Sequence, residues 1–138
     1  MRIMAIDYGD AHTGIAISDP TGFLAGFTTV INAYRPESVA EQISALVKEH
    51  GVEELVLGHP INMDGTRGPR SEKAQAMKTL LEETTSLPVV LWDERRTTID
   101  AHQILMNSGK NAKKRKKVVD AVAATLILEG YLTYKKTH

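Results

Sequence analysis

Apolar positions along this chain fall into short runs and longer helical stripes that take turns from one end to the other. Residues Arg2 to Asp7 are mostly apolar, too few for a helix, and end in an acid, which predicts a buried strand. Gly14-Ile15-Ala16-Ile17-Ser18 predicts a second strand, reached through Tyr8-Gly9-Asp10-Ala11-His12-Thr13. So short a link favours a hairpin and antiparallel pairing. Asp19-Pro20-Thr21-Gly22 reads as a turn, and Phe23 to Ile31 as a third strand. Pro36 suits the first turn of a helix, in which Val39, Ile43, Leu46, Val47 and His50 recur at helical spacing before Gly51 stops it. Glu54 to Gly58 is a short apolar strand, and its strand-helix-strand setting predicts parallel pairing. His59 to Arg70 is rich in Gly, Pro, Asn and Asp and reads as a loop. Ala74, Met77, Leu80 and Leu81 mark a second helix, and Pro88 to Glu94 a last strand, again ending in acids. Thr97 with Asp100 fits a capping box for a helix through Ala101, Ile104 and Leu105, closed by Asn107-Ser108-Gly109. A final apolar helix is expected from Val118 to Tyr134.

Three strands followed by strand-helix units predict an α/β architecture, a mixed sheet with helices over it. Neither a repeat nor a linker interrupts the pattern, so residues 1–138 are expected to form a single domain. Hydrophobic residues at 42% and charged residues at 25% argue against disorder. The chain has no cysteine, which excludes disulfides, thiolate chemistry and cysteine zinc sites. No apolar stretch is long enough to suggest a membrane span, and Asp7 comes too early for a signal peptide, so a cytoplasmic location without membrane contact is expected.

Charge adds an asymmetry that the net value of zero conceals. Lys and Arg number 17, as do Asp and Glu, but Lys113, Lys114, Arg115, Lys116 and Lys117 are consecutive. The remainder thus sets twelve cations against 17 acids. Positive charge gathered in one segment attracts a polyanion there.

Three acidic positions are candidates for chemistry because of where they fall. Asp7 ends the first strand, Asp93-Glu94 ends the last, and ligands in open α/β sheets collect beyond strand carboxyl ends. Asp120 is set in Val118-Val119-Asp120-Ala121-Val122-Ala123-Ala124-Thr125-Leu126-Ile127-Leu128, on one helical face with Ala123, Ala124 and Ile127. A carboxylate in such surroundings needs a cation or strong donors. The histidines, at 12, 50, 59, 102 and 138, lack zinc-motif spacing. Asp7, Asp93, Glu94 and Asp120 together suit a hard, oxygen-preferring ion, Mg²⁺ or Mn²⁺. Two such ions about 3.5–4 Å apart are the apparatus for in-line phosphodiester cleavage. Residues suited to phosphate stand close by: Gly9 and Gly14, where backbone can approach a ligand, Arg95 and Arg96, Thr97 and Thr98, and the loop Gly58-His59-Pro60-Ile61-Asn62-Met63-Asp64-Gly65-Thr66.

Four segments in order resemble the YqgF/RuvX family of the RNase H-like superfamily: Asp7-Tyr8-Gly9 through Gly14-Ile15-Ala16, Gly58 through Thr66, Asp93 through Thr98, and Lys117 through Glu129. The resemblance extends over nearly the whole chain. It implies an RNase H-like fold with a five-stranded mixed sheet flanked by helices. It also implies a metal-bound catalytic triad of Asp7, one acid of Asp93-Glu94, and Asp120. Glu94 is favoured as the ligand, with Asp93 kept beside it, since strand alternation points the two in opposite directions. Gly9, Asn62, Arg95, Arg96, Thr97, Thr98 and the basic run from Lys113 to Lys117 are expected to meet nucleic acid. His59 departs from a frequent Leu, and Arg96 from a common apolar residue. The function implied is a magnesium- or manganese-dependent nuclease, with two ions, that processes the 5′ end of pre-16S rRNA. The alternatives are a Holliday junction resolvase acting on branched DNA and a non-catalytic nucleic-acid-binding protein. A monomer or weak homodimer is expected, because no extended dimer face is predicted.

Overall fold

The computed structural model describes residues 1–19, 25–59, 68–93 and 112–137. Strand β1 (Arg2–Asp7) lies at the centre of a five-stranded sheet. It pairs antiparallel with β2 (His12–Ser18), which pairs antiparallel with β3 (Ala25–Asn32). On its other side β1 pairs parallel with β4 (Val52–His59), and β4 parallel with β5 (Val89–Asp93). The sheet order is β3-β2-β1-β4-β5, the mixed sheet that the alternation of elements predicts. Among the described residues the helices are α1 (Pro36–His50), α2 (Pro69–Thr85) and α3 (Ala112–Thr137).

Strand periodicity divides the buried residues between two cores. Met4, Ile6, Ile15, Ile17, Leu55 and Leu57 face α1 and α2. Ile3, Ala5, Ala16 and Val56 face α3. On α3 the buried positions are Ala123, Ala124, Ile127, Leu128, Tyr131 and Leu132, one stripe at helical spacing. Val122, Thr125 and Leu126 are only half-buried and Glu129 is exposed, so α3 is a covering helix rather than one buried all round.

The carboxyl-terminal half of α3 is anchored at the β4–β5 side. Tyr131 donates to Glu54 Oε1 at 2.5 Å, Lys135 reaches Glu54 Oε2 at 2.8 Å, and Trp92 meets Tyr131 edge-on at 5.9 Å. The helix also packs on β1, β2 and β3. Burial and the hydrogen bond to Glu54 raise the Tyr131 phenol well above its ordinary pKa. A raised folded pKa gives stability that is complete below the unfolded value, near 10, and is lost as pH rises through the folded value. Tyr131→Phe is therefore expected to cost about 1.5–3 kcal/mol at neutral pH, as for a hydrogen bond to a charged group. In thermal melts the gap between the two proteins should begin to close above about pH 10.

Several boundaries differ from the sequence expectation. β2 begins at His12, whose ring Nδ1 lies 2.6 Å from Asn32 Oδ1 across the β2–β3 pair. β4 extends to His59, so His59 belongs to the sheet and not to the loop. α2 opens at Pro69 behind Gly68, because proline at the first helical position lacks only an N–H that would have no partner there. α3 starts at Ala112, so the basic run lies inside the helix instead of preceding it. Lys and Arg have straight side chains that lose little freedom in a helix, and the helix propagates through them. The expected helix over 97–109, and Phe23 at the expected start of the third strand, lie outside the described residues.

Candidate active site

β1, β4 and β5 run the same way, so Asp7, His59 and Asp93 end at one edge of the sheet. Alternation then sorts them by face. Ile3 and Ala5 face α3, and Asp7 follows two residues later on the same side. Its partner on β2 is Gly14. On β4 the register Ile6–Leu57 sets Gly58 beside Asp7, one step further on. Asp7 is thus flanked on both neighbouring strands by residues without side chains, beneath the helix that bears Asp120. Both glycines are buried while Asp7, at the end of a packed strand, is half-buried.

The neighbouring acid goes the other way. Val89 and Leu91 belong to the α1–α2 core, Val90 and Trp92 to the α3 core, so Asp93 falls on the α1–α2 face. It pairs with His59, which lies on that face too. His59 is buried and its Nε2 stands 2.6 Å from Ser71 Oγ, tying the end of β4 to the first turn of α2. This explains a histidine in place of an apolar residue: the ring fills core space and has a buried hydroxyl to bond.

Position 120 stands one helical turn before the buried Ala123 and Ala124 of α3. The helix that carries position 120 therefore covers the side of the sheet to which Asp7 belongs. Lys113 to Lys117 occupy the first two turns of that helix. Glu94, Arg95, Arg96, Thr97, Thr98 and Asn62 lie outside the described residues. Among the described residues no three His, Asp or Glu side chains converge tightly enough to hold a metal ion. Gly9 has a local reason as well. A Cβ there would run into the carbonyl oxygen of His12, so the β1–β2 turn closes only around glycine.

A second feature was not signalled by the sequence pattern. On the α1–α2 face, a cleft of about 340 Å³ opens between Tyr8, Tyr34, Pro36, Lys73, Met77 and Leu80. Burial raises the pKa of the Tyr8 phenol, with Lys73 acting in the opposite sense. The cleft joins three segments far apart in the chain. The one trace of it in the sequence is Tyr34, an aromatic residue in the polar link before Pro36.

Residues 1–134 match the family described as RuvX, Holliday junction resolvase. A protein of Halothermothrix orenii named as a pre-16S rRNA nuclease is 45% identical over 135 residues, spanning 98% of this chain and 96% of the relative. One of Bacillus subtilis with the same name is 44% identical over 134 residues, spanning 96% and 97%. Among solved structures, the Thermus thermophilus RuvC in complex with a Holliday junction substrate superposes with a TM-score of 0.66 at 14% identity. That superposition covers 99% of this chain and 96% of RuvC, and it establishes the RNase H-like fold. Among the described residues, no helix is long and apolar enough to cross a membrane.

Proposed function

Because the chain belongs to the RuvX family, we propose that it is a metal-dependent nuclease that hydrolyses phosphodiester bonds at the 5′ end of pre-16S rRNA in ribosome biogenesis. The observation that carries this reading is Asp7 held between Gly14 and Gly58 on the face covered by the helix bearing Asp120. A half-buried carboxylate at a strand end, between glycines and with a second carboxylate position on the covering helix, suits a divalent cation better than core packing. Mg²⁺ or Mn²⁺, as a pair, would be held by Asp7, Glu94 and Asp120. Such ions, when bound, supply an activated water and positive charge at the leaving oxygen, so no nucleophilic side chain is required. Asp93 leaves β5 on the opposite face from Asp7, which supports Glu94, one residue on, as the ligand from that segment.

The other assigned residues position the polynucleotide. Arg95, Arg96, Thr97, Thr98, Asn62 and the backbone at Gly9 receive phosphate and sugar groups, and the run from Lys113 to Lys117 tracks the backbone from the start of α3. Ribosomal precursors would place the work in the cytoplasm, with the protein acting as a monomer or weak homodimer. Cutting Holliday junctions in DNA is the second reading, favoured by the family description and the likeness to RuvC. It requires a two-fold dimer to cut symmetrically.

The test is incubation of purified protein with precursor rRNA and with four-way DNA junctions, each with Mg²⁺ or Mn²⁺. Defined cuts near the RNA 5′ end are expected. Paired symmetric cuts in the junction alone would replace this reading with the second, and binding without cutting would leave a nucleic-acid-binding protein. A salt titration checks the basic run separately. Replacing Lys113, Lys114 and Lys116 by Ala should weaken binding to all sequences alike, because lysine meets phosphate as a point charge. Each lost contact should flatten the slope of log affinity against log salt by roughly 0.7–0.9. An unchanged slope would return the run to a solvated helix end.

A further inference from the structure

The cleft between α1 and α2 lies on the side of the sheet away from Asp7, and the reaction described above makes no use of it. Tyr8, which lines it, is the residue directly after Asp7 and packs against the α1–α2 core. The cleft therefore opens at the same carboxyl edge, one residue from the candidate catalytic acid and facing the other way. We propose that this cleft takes an unstacked base of the polynucleotide that is cut at the Asp7 edge, an inference resting on the nuclease reading.

Three properties of the cleft point to a base rather than to a phosphate or a peptide. Tyr34 stands at its rim with 81% of its surface exposed, and a large ring so placed is a platform for stacking. Much of its lining is apolar, with Pro36, Met77 and Leu80 beside the two tyrosines. Its charge is balanced, since Lys73 Nζ lies 3.1 Å from Asp10 Oδ1 and both line the cleft. A phosphate would meet the Asp10 carboxylate, whereas a neutral heteroaromatic ring finds aromatic faces, with one donor and one acceptor at the rim for its polar edge. A volume of about 340 Å³ is at the small end of the usual range for ligand sites, about 300–1,000 Å³. That accommodates one nucleoside and excludes a duplex. Beside the cleft, a shallow depression brings Arg70 next to Gly9 and Lys73, where a guanidinium is available to the adjoining backbone phosphate. Base stacking on aromatic side chains is tolerant of sequence, so the cleft would grip a displaced nucleotide without selecting its identity.

The test measures binding of single-stranded oligonucleotides, about ten nucleotides long, by fluorescence anisotropy in EDTA, so that no cleavage intervenes. RNA and DNA versions distinguish the two sources of base. Tyr34→Ala should weaken binding about tenfold, while Tyr34→Phe, which keeps the stacking face, should stay within about twofold. Ala76→Leu, which narrows the cleft from an exposed position on α2, should weaken it similarly. One abasic residue at the bound position should cost the wild type about the same factor and cost Tyr34→Ala nothing more. Tyr34 is exposed, so its variants should fold normally, which circular dichroism checks. Equal binding by wild type and Tyr34→Ala, no binding of single strands at all, or an abasic penalty indifferent to Tyr34 would each overturn the proposal. Cleavage is read separately. Tyr34-dependent binding by a protein that cuts nothing would remove the nuclease reading and keep the cleft. Cutting with binding indifferent to Tyr34 would do the reverse.

Discussion

Asp7→Asn is expected to lower metal-dependent cleavage by roughly a thousandfold or more while leaving the fold intact, since several kcal/mol of charge stabilisation are removed and each 1.36 kcal/mol is tenfold. Asparagine has nearly the shape of aspartate but not its charge, and a hard divalent cation is held by charge as much as by geometry. Asp7 is half-buried and its cross-strand neighbours are glycines, so the swap disturbs little packing. Thermal stability should therefore change by less than about 1 kcal/mol. Single-turnover cleavage of precursor rRNA at saturating Mg²⁺, with a thermal melt of the same preparations, checks both halves. A variant that cuts as fast as wild type would remove the metal site from this edge of the sheet.

Asp120→Ala is expected to lose cleavage to a similar extent, yet to keep or gain stability in the presence of EDTA. Clustered carboxylates repel one another when no cation is bound, and a charge set among apolar helical neighbours such as Val119, Ala121 and Ala123 is costly to keep. Alanine removes both costs and is the best helix former. Melts of the two proteins with and without metal give the answer. Metal should stabilise wild type and leave Asp120→Ala nearly unmoved. A fall of about 3–5 kcal/mol in EDTA would instead mean that Asp120 is half of a buried structural ion pair.

The strands and their order of use were legible because their cause is local. Runs such as Ile3 to Ile6 and Leu55 to Leu57 are apolar over the length of a strand, and the link from Tyr8 to Thr13 is short enough to favour a hairpin. Asp7 and Asp120 could be singled out by the same logic, as acids at positions where an apolar residue would be unremarkable. What the pattern hid depends on register or on distance along the chain. That Gly14 and Gly58 both border Asp7 follows only from the pairing of three strands. That Asp93 departs on the far face follows from which residues of β5 reach which core. The cleft needed Tyr8, Tyr34 and Lys73 to meet, and no window of sequence contains all three. The start of α3 was missed for a different reason. A run of like charges has no apolar period to read, although its residues are good helix formers.

That start of α3 has an energetic consequence. Its first turn contains no acid, and five cationic residues fall in the turns where the helix macrodipole is already positive. Neighbours three and four apart repel, which works against the same turns. The helix is thus wound against its own electrostatics at one end and fastened at the other by Glu54, Tyr131 and Lys135. A polyanion laid along the first turns reverses the sign of both terms. Backbone phosphates would then do for this helix what an N-terminal acid does for an ordinary one, so binding of nucleic acid there would also steady the helix that bears Asp120.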